Sequence, residues 1–424
     1  MEPARWPAPA RVITLVSPIE EAACQGLRTA GRFMFTGNDP RCDRLAKTAR
    51  LALASAFLTF ASALTLGSCV STPSKATHSV VEHGKYLATI GVCAACHTPP
   101  AVPEAGELTF AQEQLRSEPD WFRYLDSSRP YAGGVPFIIR LSGQSHGVVY
   151  SRNISSDVKT GIGSWTKQQI VDALRTGRRP DGTNLFLFAP HTFFKHLSEE
   201  DADAIATYLK SLPPVSNEVR PRQLPFEPGP ATEVPTVQAR SPGGANLARA
   251  EYLTKSLVGC RECHSYTVNH EEHPWVGGDR RDPYNGSFRL GPDLPLRQQE
   301  RGFAAFPYPG YAILFGGNLT RFGRGGDQED VSRARLERAI RDGIAVNPDR
   351  YGRPLPLSHV MMWQFYRHMS DNDVKAISLY LKQLNYIEHD VGDRLVYFGD
   401  DWEKAFEFIF GERPTPADRQ AFGK

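Results

Sequence analysis

Apolar residues recur at helical spacing in two places far apart in the chain. Ile205, Tyr208, Leu209 and Leu212 fall at i, i+3, i+4 and i+7, and Ile377, Tyr380, Leu381 and Leu384 do the same. Each set predicts one helix with a single buried face. Ser198 with Asp201, and Ser370 with Asp373, stand just ahead of these sets in the pattern of a capping box. A shorter pattern lies upstream of each: Ile170, Ala173, Leu174 and Gly177 match Leu336, Ala339, Ile340 and Gly343. Both read as an amphipathic helix stopped by glycine. Earlier still, His83-Gly84-Lys85-Tyr86-Leu87 matches Arg249-Ala250-Glu251-Tyr252-Leu253. One unit is therefore used twice, with three helices predicted in each.

Between the copies, residues 213–249 hold eight prolines, which predict an extended linker partly packed on a surface. After the second copy, Tyr397, Phe398, Trp402, Phe406 and Phe410 predict a segment folded back on the body. The expected division is a leader and lipoprotein-type signal peptide over 1–68, a tether over 69–79 and a first domain over 80–215. A Pro-rich linker over 216–247, a second domain over 248–386 and a C-terminal extension over 387–424 complete it. A length of 424 residues fits more than one domain. The composition, 41% hydrophobic and 23% charged, is that of a folded soluble chain. A net charge of +2 gives no reason to expect a nucleic-acid partner.

The N-terminal region reads as an address. Arg41, Arg44, Lys47 and Arg50 precede the apolar run 51–66, which small residues follow. That order is the order of a secretory signal, and the run is shorter than the ~20 residues a membrane-spanning helix needs. The run ends Leu66-Gly67-Ser68-Cys69, which resembles the lipobox of bacterial lipoproteins. The expectation is an acylated Cys69 holding the protein at the periplasmic side of a bacterial membrane. Ordinary signal cleavage and an uncleaved anchor remain open. Met34 would begin a signal of more usual size than Met1 does.

Seven cysteines sharpen the picture: Cys24, Cys42, Cys69, Cys93, Cys96, Cys260 and Cys263. The last four form Cys93-Ala94-Ala95-Cys96-His97 and Cys260-Arg261-Glu262-Cys263-His264, one in each copy. Two cysteines on one turn can form thioethers with both vinyl groups of one porphyrin, and the next histidine can reach its iron. The pattern is thus a c-type haem attachment site. A zinc half-site or a redox dithiol is the plainer reading of Cys-x-x-Cys alone. Zinc would require the two pairs to converge, whereas each pair has its own helical unit. The expectation is two covalently attached haem c groups, held through Cys93, Cys96, Cys260 and Cys263, with His97 and His264 as iron ligands.

With these residues in view, the chain resembles the diheme and multiheme cytochrome c subunits of membrane-associated bacterial dehydrogenases for alcohols and sugar acids. The resemblance covers about residues 80–215 and, more loosely, 248–386. It is carried also by Tyr131-Ala132-Gly133-Gly134, Tyr150-Ser151-Arg152-Asn153-Ile154 and Thr160-Gly161-Ile162-Gly163-Ser164-Trp165. It implies a mostly α fold of two tandem class I cytochrome c-like domains with long loops, joined by the Pro-rich linker. In that family the methionine ligand lies eight residues before the apolar residue that precedes the Ser-x-x-Asp cap. Counting back from Met369 gives Met361, with Met362 as rival and core packing as the plain alternative. The same count from Leu197 gives Ala189, a departure from the pattern, and the first copy contains no methionine. His191 is then the candidate distal ligand of the first haem, with His196, His146, Lys195 or an open iron as alternatives. His270 and His273 read as solvated loop.

The expected function is an exported diheme cytochrome that passes single electrons between a dehydrogenase, or another periplasmic donor, and a respiratory acceptor. The alternative is a diheme redox enzyme, peroxidase-like or thiosulfate-oxidising, that uses an open first haem. A haem lipoprotein sensing a gas is a third class. No nucleotide loop, quinone-cofactor domain or catalytic triad is legible.

Overall fold

The structure is a computed structural model. It describes residues 75–99, 125–140, 146–186, 191–229, 233–268, 271–281, 287–291, 306–307, 310–422 and 424. The expected signal and the anchor at Cys69 lie outside the described residues.

The chain order begins with α1 (Lys75–Ile90), α2 (Cys93–His97), the hairpin β1 (Pro136–Arg140) and β2 (His146–Tyr150), α3 (Lys167–Thr176), α4 (His191–Phe194) and α5 (Glu199–Ser211). The second repeat follows with α6 (Leu247–Ser256), α7 (Cys260–Cys263), β3 (Tyr266–Val268), β4 (Glu271–His273), β5 (Ser287–Gly291), β6 (Phe306–Pro307) and β7 (Tyr311–Phe315). It closes with α8 (Arg333–Asp342), α9 (Trp363–Tyr366) and α10 (Asp371–Leu381), and the chain ends in β8 (Leu395–Gly399), α11 (Trp402–Phe410) and α12 (Pro416–Phe422). The molecule is mostly helical with little sheet.

In each repeat the first and last long helices pack together, α1 on α5 and α6 on α10. The first crossing depends on Gly84, where an added Cβ would stand 1.9 Å from the Ala204 carbonyl oxygen. Ala250 and Ala376, at the matching positions, are fully buried. The shorter helices form as their sequence predicts. Thr166 and Gln169 make a reciprocal capping box on α3, and Gly177 ends it at φ 75°. Gly343 ends α8 at φ 66°.

One hydrophobic cluster draws on both repeats: Leu87, Leu197, Ile205 and Leu209 from the first, Leu253, Leu257, Ile377 and Leu381 from the second. Met369, matched to Leu197, lies in it as well. The short helices cross over: α4 packs on α6, and α9 packs on α1.

The caps of α5 and α10 differ from the expected box. Ser198 and Ser370 do accept from the backbone N–H groups of Asp201 and Asp373. The return bond from the aspartate is not made, because Asp is one methylene shorter than the Glu that reaches back in such boxes. A tyrosine of the opposite repeat takes that place. Tyr252 Oη accepts from Ser198 N–H at 3.0 Å and donates to Asp201 Oδ2 at 2.7 Å. Tyr86 Oη accepts from Ser370 N–H at 3.1 Å and donates to Asp373 Oδ2. Each aspartate also keeps a base from its own repeat: His83 at 2.8 Å from Asp201, and Arg249, forked onto Asp373 at 2.7 and 2.9 Å. Burial alone would raise Asp373, but the Arg249 and Tyr86 hydrogen bonds and the Arg249 charge outweigh it, and its carboxyl lies below the ordinary range.

The proline-rich segment runs along this body. Gln223 exchanges both backbone hydrogen bonds with Val148 at 2.8 Å, and the Gln238 and Ala239 carbonyls accept from the first N–H groups of α5. The C-terminal residues extend a sheet ordered β6-β5-β7-β8, in which β8 lies antiparallel to β7 and pairs Leu395 with Leu314. Trp402, Phe406, Ile409 and Phe422 pack against Tyr311, Ile313 and Phe315 as a second apolar cluster. Among the described residues no helix is long and apolar enough to cross a membrane.

Candidate haem-binding sites

Each Cys-x-x-Cys pair occupies one helical turn entered through a left-handed residue, Val92 at φ 62° before α2 and Gly259 at φ 57° before α7. On such a turn both thiols and the following imidazole face the same space. All four cysteines are free. Desolvation pushes Cys93 up to about 12, Cys96 to about 11, and Cys260 and Cys263 to about 12. Yet Cys96 is exposed and the other three are only half-buried. Among the described residues no three His, Cys, Asp or Glu side chains gather as a metal cluster. The pairs therefore do not converge on shared zinc.

The histidines are oriented alike. His97 Nδ1 donates to the Arg152 carbonyl at 2.7 Å, and His264 Nδ1 donates to the Gly317 carbonyl at 2.8 Å. A carbonyl only accepts, so the proton is on Nδ1 and the Nε2 lone pair is free to bind iron. Burial holds both imidazoles below the ordinary value, against the help of these bonds. The donor set thus fits a haem at each motif: two thiols on one turn, and an imidazole with its outer nitrogen already committed.

The backbone that supplies these carbonyls is built identically in both repeats. Tyr131 and Trp275 both take positive φ, 59° and 71°. Tyr131 N–H donates to Thr98 Oγ1 and Trp275 N–H to Ser265 Oγ, each at 3.1 Å. Gly133 and Gly277 donate to the His97 and His264 carbonyls at 2.7 and 2.9 Å. Both glycines have positive φ, and a Cβ there would collide with the strand that carries the histidine's acceptor, 2.4 Å from the Arg152 carbonyl carbon or 2.5 Å from the Gly316 oxygen. Asn153 and Asn318 then tie that strand down. Their Oδ1 atoms accept from Ser155 and Thr320, and their Nδ2 atoms donate to the carbonyls of Val215 and Ile387.

Tyr131-Ala132-Gly133-Gly134 stands out in the sequence, whereas its partner Trp275-Val276-Gly277-Gly278 does not. The motif histidines are 167 positions apart, and these stretches only 144. An aromatic residue followed two positions later by Gly-Gly was the available signal.

Met361 closes a short 3-10 turn, His359–Met361, and packs half-buried against the shared cluster together with Cys260. Met362 caps α9 at φ 58°. Tyr366 of the same helix donates to the Val258 carbonyl at 2.7 Å and lies near the thiols of Cys260 and Cys263. Trp363 Nε1 is buried without a partner among the described residues, and its ring lies against Gly343. In the first repeat the backbone of His191 opens α4, the counterpart of α9, while its side chain lies outside the described ones. Ala189, His270 and the His146 side chain also lie outside them. Burial, then Lys255, Lys195 and Arg261, push His196 down to about 4, so its imidazole is neutral. His273 is not the free loop residue expected: it ends β4 and stacks on Tyr266 at 4.7 Å, whose ring also stacks with His389 at 4.9 Å.

These paired sites have the features of a c-type cytochrome. The chain is similar to the gluconate 2-dehydrogenase cytochrome c subunit of Pantoea cypripedii, 23% identical over 350 residues, which are 77% of this chain and 66% of that protein. It is similar to a diheme cytochrome c-type protein of Cereibacter sphaeroides, 25% identical over 329 residues, 72% of this chain and 86% of that one. It is also 27% identical over 202 residues to the cytochrome c subunit of the quinone alcohol dehydrogenase of Gluconobacter oxydans, spanning 45% of this chain and 36% of that subunit. Cytochrome c subunits of bacterial dehydrogenases and a diheme c-type cytochrome are homologues of this chain, at low identity. The chain spans less than two thirds of the gluconate and alcohol dehydrogenase subunits. No protein-family model matches it.

Proposed function

We propose that the protein is an exported diheme cytochrome c that passes single electrons between a dehydrogenase, or another periplasmic donor, and a respiratory acceptor. The observation that carries this is the duplicated site, with two thiols on one turn and a histidine whose Nδ1 is committed and whose Nε2 is free. When bound, the two haems would supply one-electron couples, one at each motif. Cys93, Cys96, Cys260 and Cys263 would hold them covalently, and His97 and His264 would bind their irons. Met361 would be the further iron ligand at the second site and His191 at the first. The repeats would correspond to two class I cytochrome c-like domains, 80–215 and 248–386, with 216–247 as linker. The homologues' names support a dehydrogenase as donor. The Leu66-Gly67-Ser68-Cys69 stretch supports a lipid anchor on the periplasmic face of a membrane. The decisive experiment is acid–acetone extraction followed by peptide mass analysis. Two retained haems, one of which is lost in Cys260→Ala/Cys263→Ala, support the reading; extractable haem or zinc overturns it.

The second reading, a redox enzyme, rests on Ala189 standing where the repeat calls for methionine. Carbon monoxide binding by the reduced first site would favour it, and two closed sites would exclude it.

A further inference from the structure

The histidine acceptors differ in one respect. In the first repeat the residue whose carbonyl takes the His97 proton carries a guanidinium, the half-buried Arg152. In the second repeat the same place holds Gly317, which carries no side chain. The space beside its α-carbon is filled by Arg394: a Cβ on Gly317 would meet Arg394 Nη1 at 3.1 Å and Cδ at 3.5 Å. Arg394 precedes β8, and its carbonyl is held by Phe315 N–H at 2.7 Å, two residues from Gly317. Each arginine thus stands at the residue whose carbonyl orients a motif histidine, Arg152 being that residue for His97 and Arg394 lying against Gly317 for His264. Among the described residues no carboxylate forms an ion pair with Arg394.

We infer that Arg394, carried in by the C-terminal extension, replaces in space the side chain that Gly317 lacks, and sets the second site's reduction potential as Arg152 sets the first's. The inference rests on the haem reading. The ferric form of a haem carries one more positive charge than the ferrous form, so a fixed cation beside the proximal ligand favours reduction. Arg394 is a positioning residue that acts through charge, and because it is exposed where Arg152 is half-buried, salt screens it more.

The test is spectroelectrochemical titration of the purified holoprotein. Arg394→Gln should lower the potential of the second site and leave the first unchanged, while Arg394→Lys should stay near the starting value. The difference between Arg394→Gln and the parent should shrink at high salt. Gly317→Arg combined with Arg394→Gly returns the guanidinium to its first-repeat position, with the space cleared for it, and should restore the potential. If Arg394→Gln alters thermal stability but neither potential, or if the relocated arginine restores nothing, the inference is wrong. A protein without covalent haem would instead refute the reading beneath it, and the inference with it.

Discussion

Tyr252→Phe removes one oxygen from the seam between the repeats. That oxygen donates to Asp201 at 2.7 Å and accepts from Ser198 N–H at 3.0 Å, and Tyr252, Ser198 and Asp201 are all buried. A hydrogen bond to a charged group contributes about 1.5–3 kcal/mol, and an orphaned buried N–H costs about 1–3 kcal/mol. The two overlap at one cap and do not simply add, so the expected loss is about 2–4 kcal/mol. Tyr86→Phe should cost about 1 kcal/mol less, because Asp373 keeps the two-pronged Arg249, whereas Asp201 keeps the part-exposed His83 and a long hydrogen bond from Ser241 Oγ at 3.4 Å. Urea unfolding of the holoprotein followed by far-UV circular dichroism measures both. If both variants fall within about 0.5 kcal/mol of the parent, or Tyr86→Phe proves the more damaging, then the tyrosines do not complete the caps.

Gly84→Ala should destabilise by at least about 1–3 kcal/mol in thermal unfolding, since its methyl group would stand 1.9 Å from a carbonyl oxygen; a neutral result would mean that the helices do not cross there. The hydrogen bond to Asp201 raises His83 above its ordinary value, against burial and the Arg249 charge. The folded state therefore binds that proton more tightly, so this contribution is complete below pH ~6.5 and is lost as pH rises through the folded value. Urea midpoints should fall from pH 6 to pH 8.5, and His83→Gln should flatten that slope; an unchanged slope would remove His83 from the account. Met361→His should lower the higher of two potentials and abolish the methionine-to-ferric-iron band, whereas a band that persists would pass the role to Met362.

Local pattern was enough for the helices. The i, i+3, i+4 spacing and the serine caps locate α5 and α10, and glycine at φ 75° and 66° stops α3 and α8 where the sequence puts those stops. The attachment turns were legible because the chemistry itself dictates their spacing. What was not legible depends on contacts distant in sequence. Nothing near Asp201 announces Tyr252, 51 positions on, and nothing near Asp373 announces Tyr86, 287 positions back. The Trp275 turn escaped because the loop before it is shorter than the one before Tyr131, which breaks the repeat's register. Aromatic content hinted that the C-terminal residues fold back, but which strand they join follows from the free edge of β7.

The exchanged tyrosines also put an order on how the chain can finish folding. A polypeptide emerges N-terminus first, and the first repeat has all its own helices once Ser211 is out. Its cap is still open at that point, because the hydroxyl that closes it belongs to Tyr252. The second repeat faces no such wait, since Tyr86 has been present since long before Ser370 and Asp373 appear. The early half is thus held unfinished until the opening helix of the late half arrives, and the late half is completed by a residue already in place.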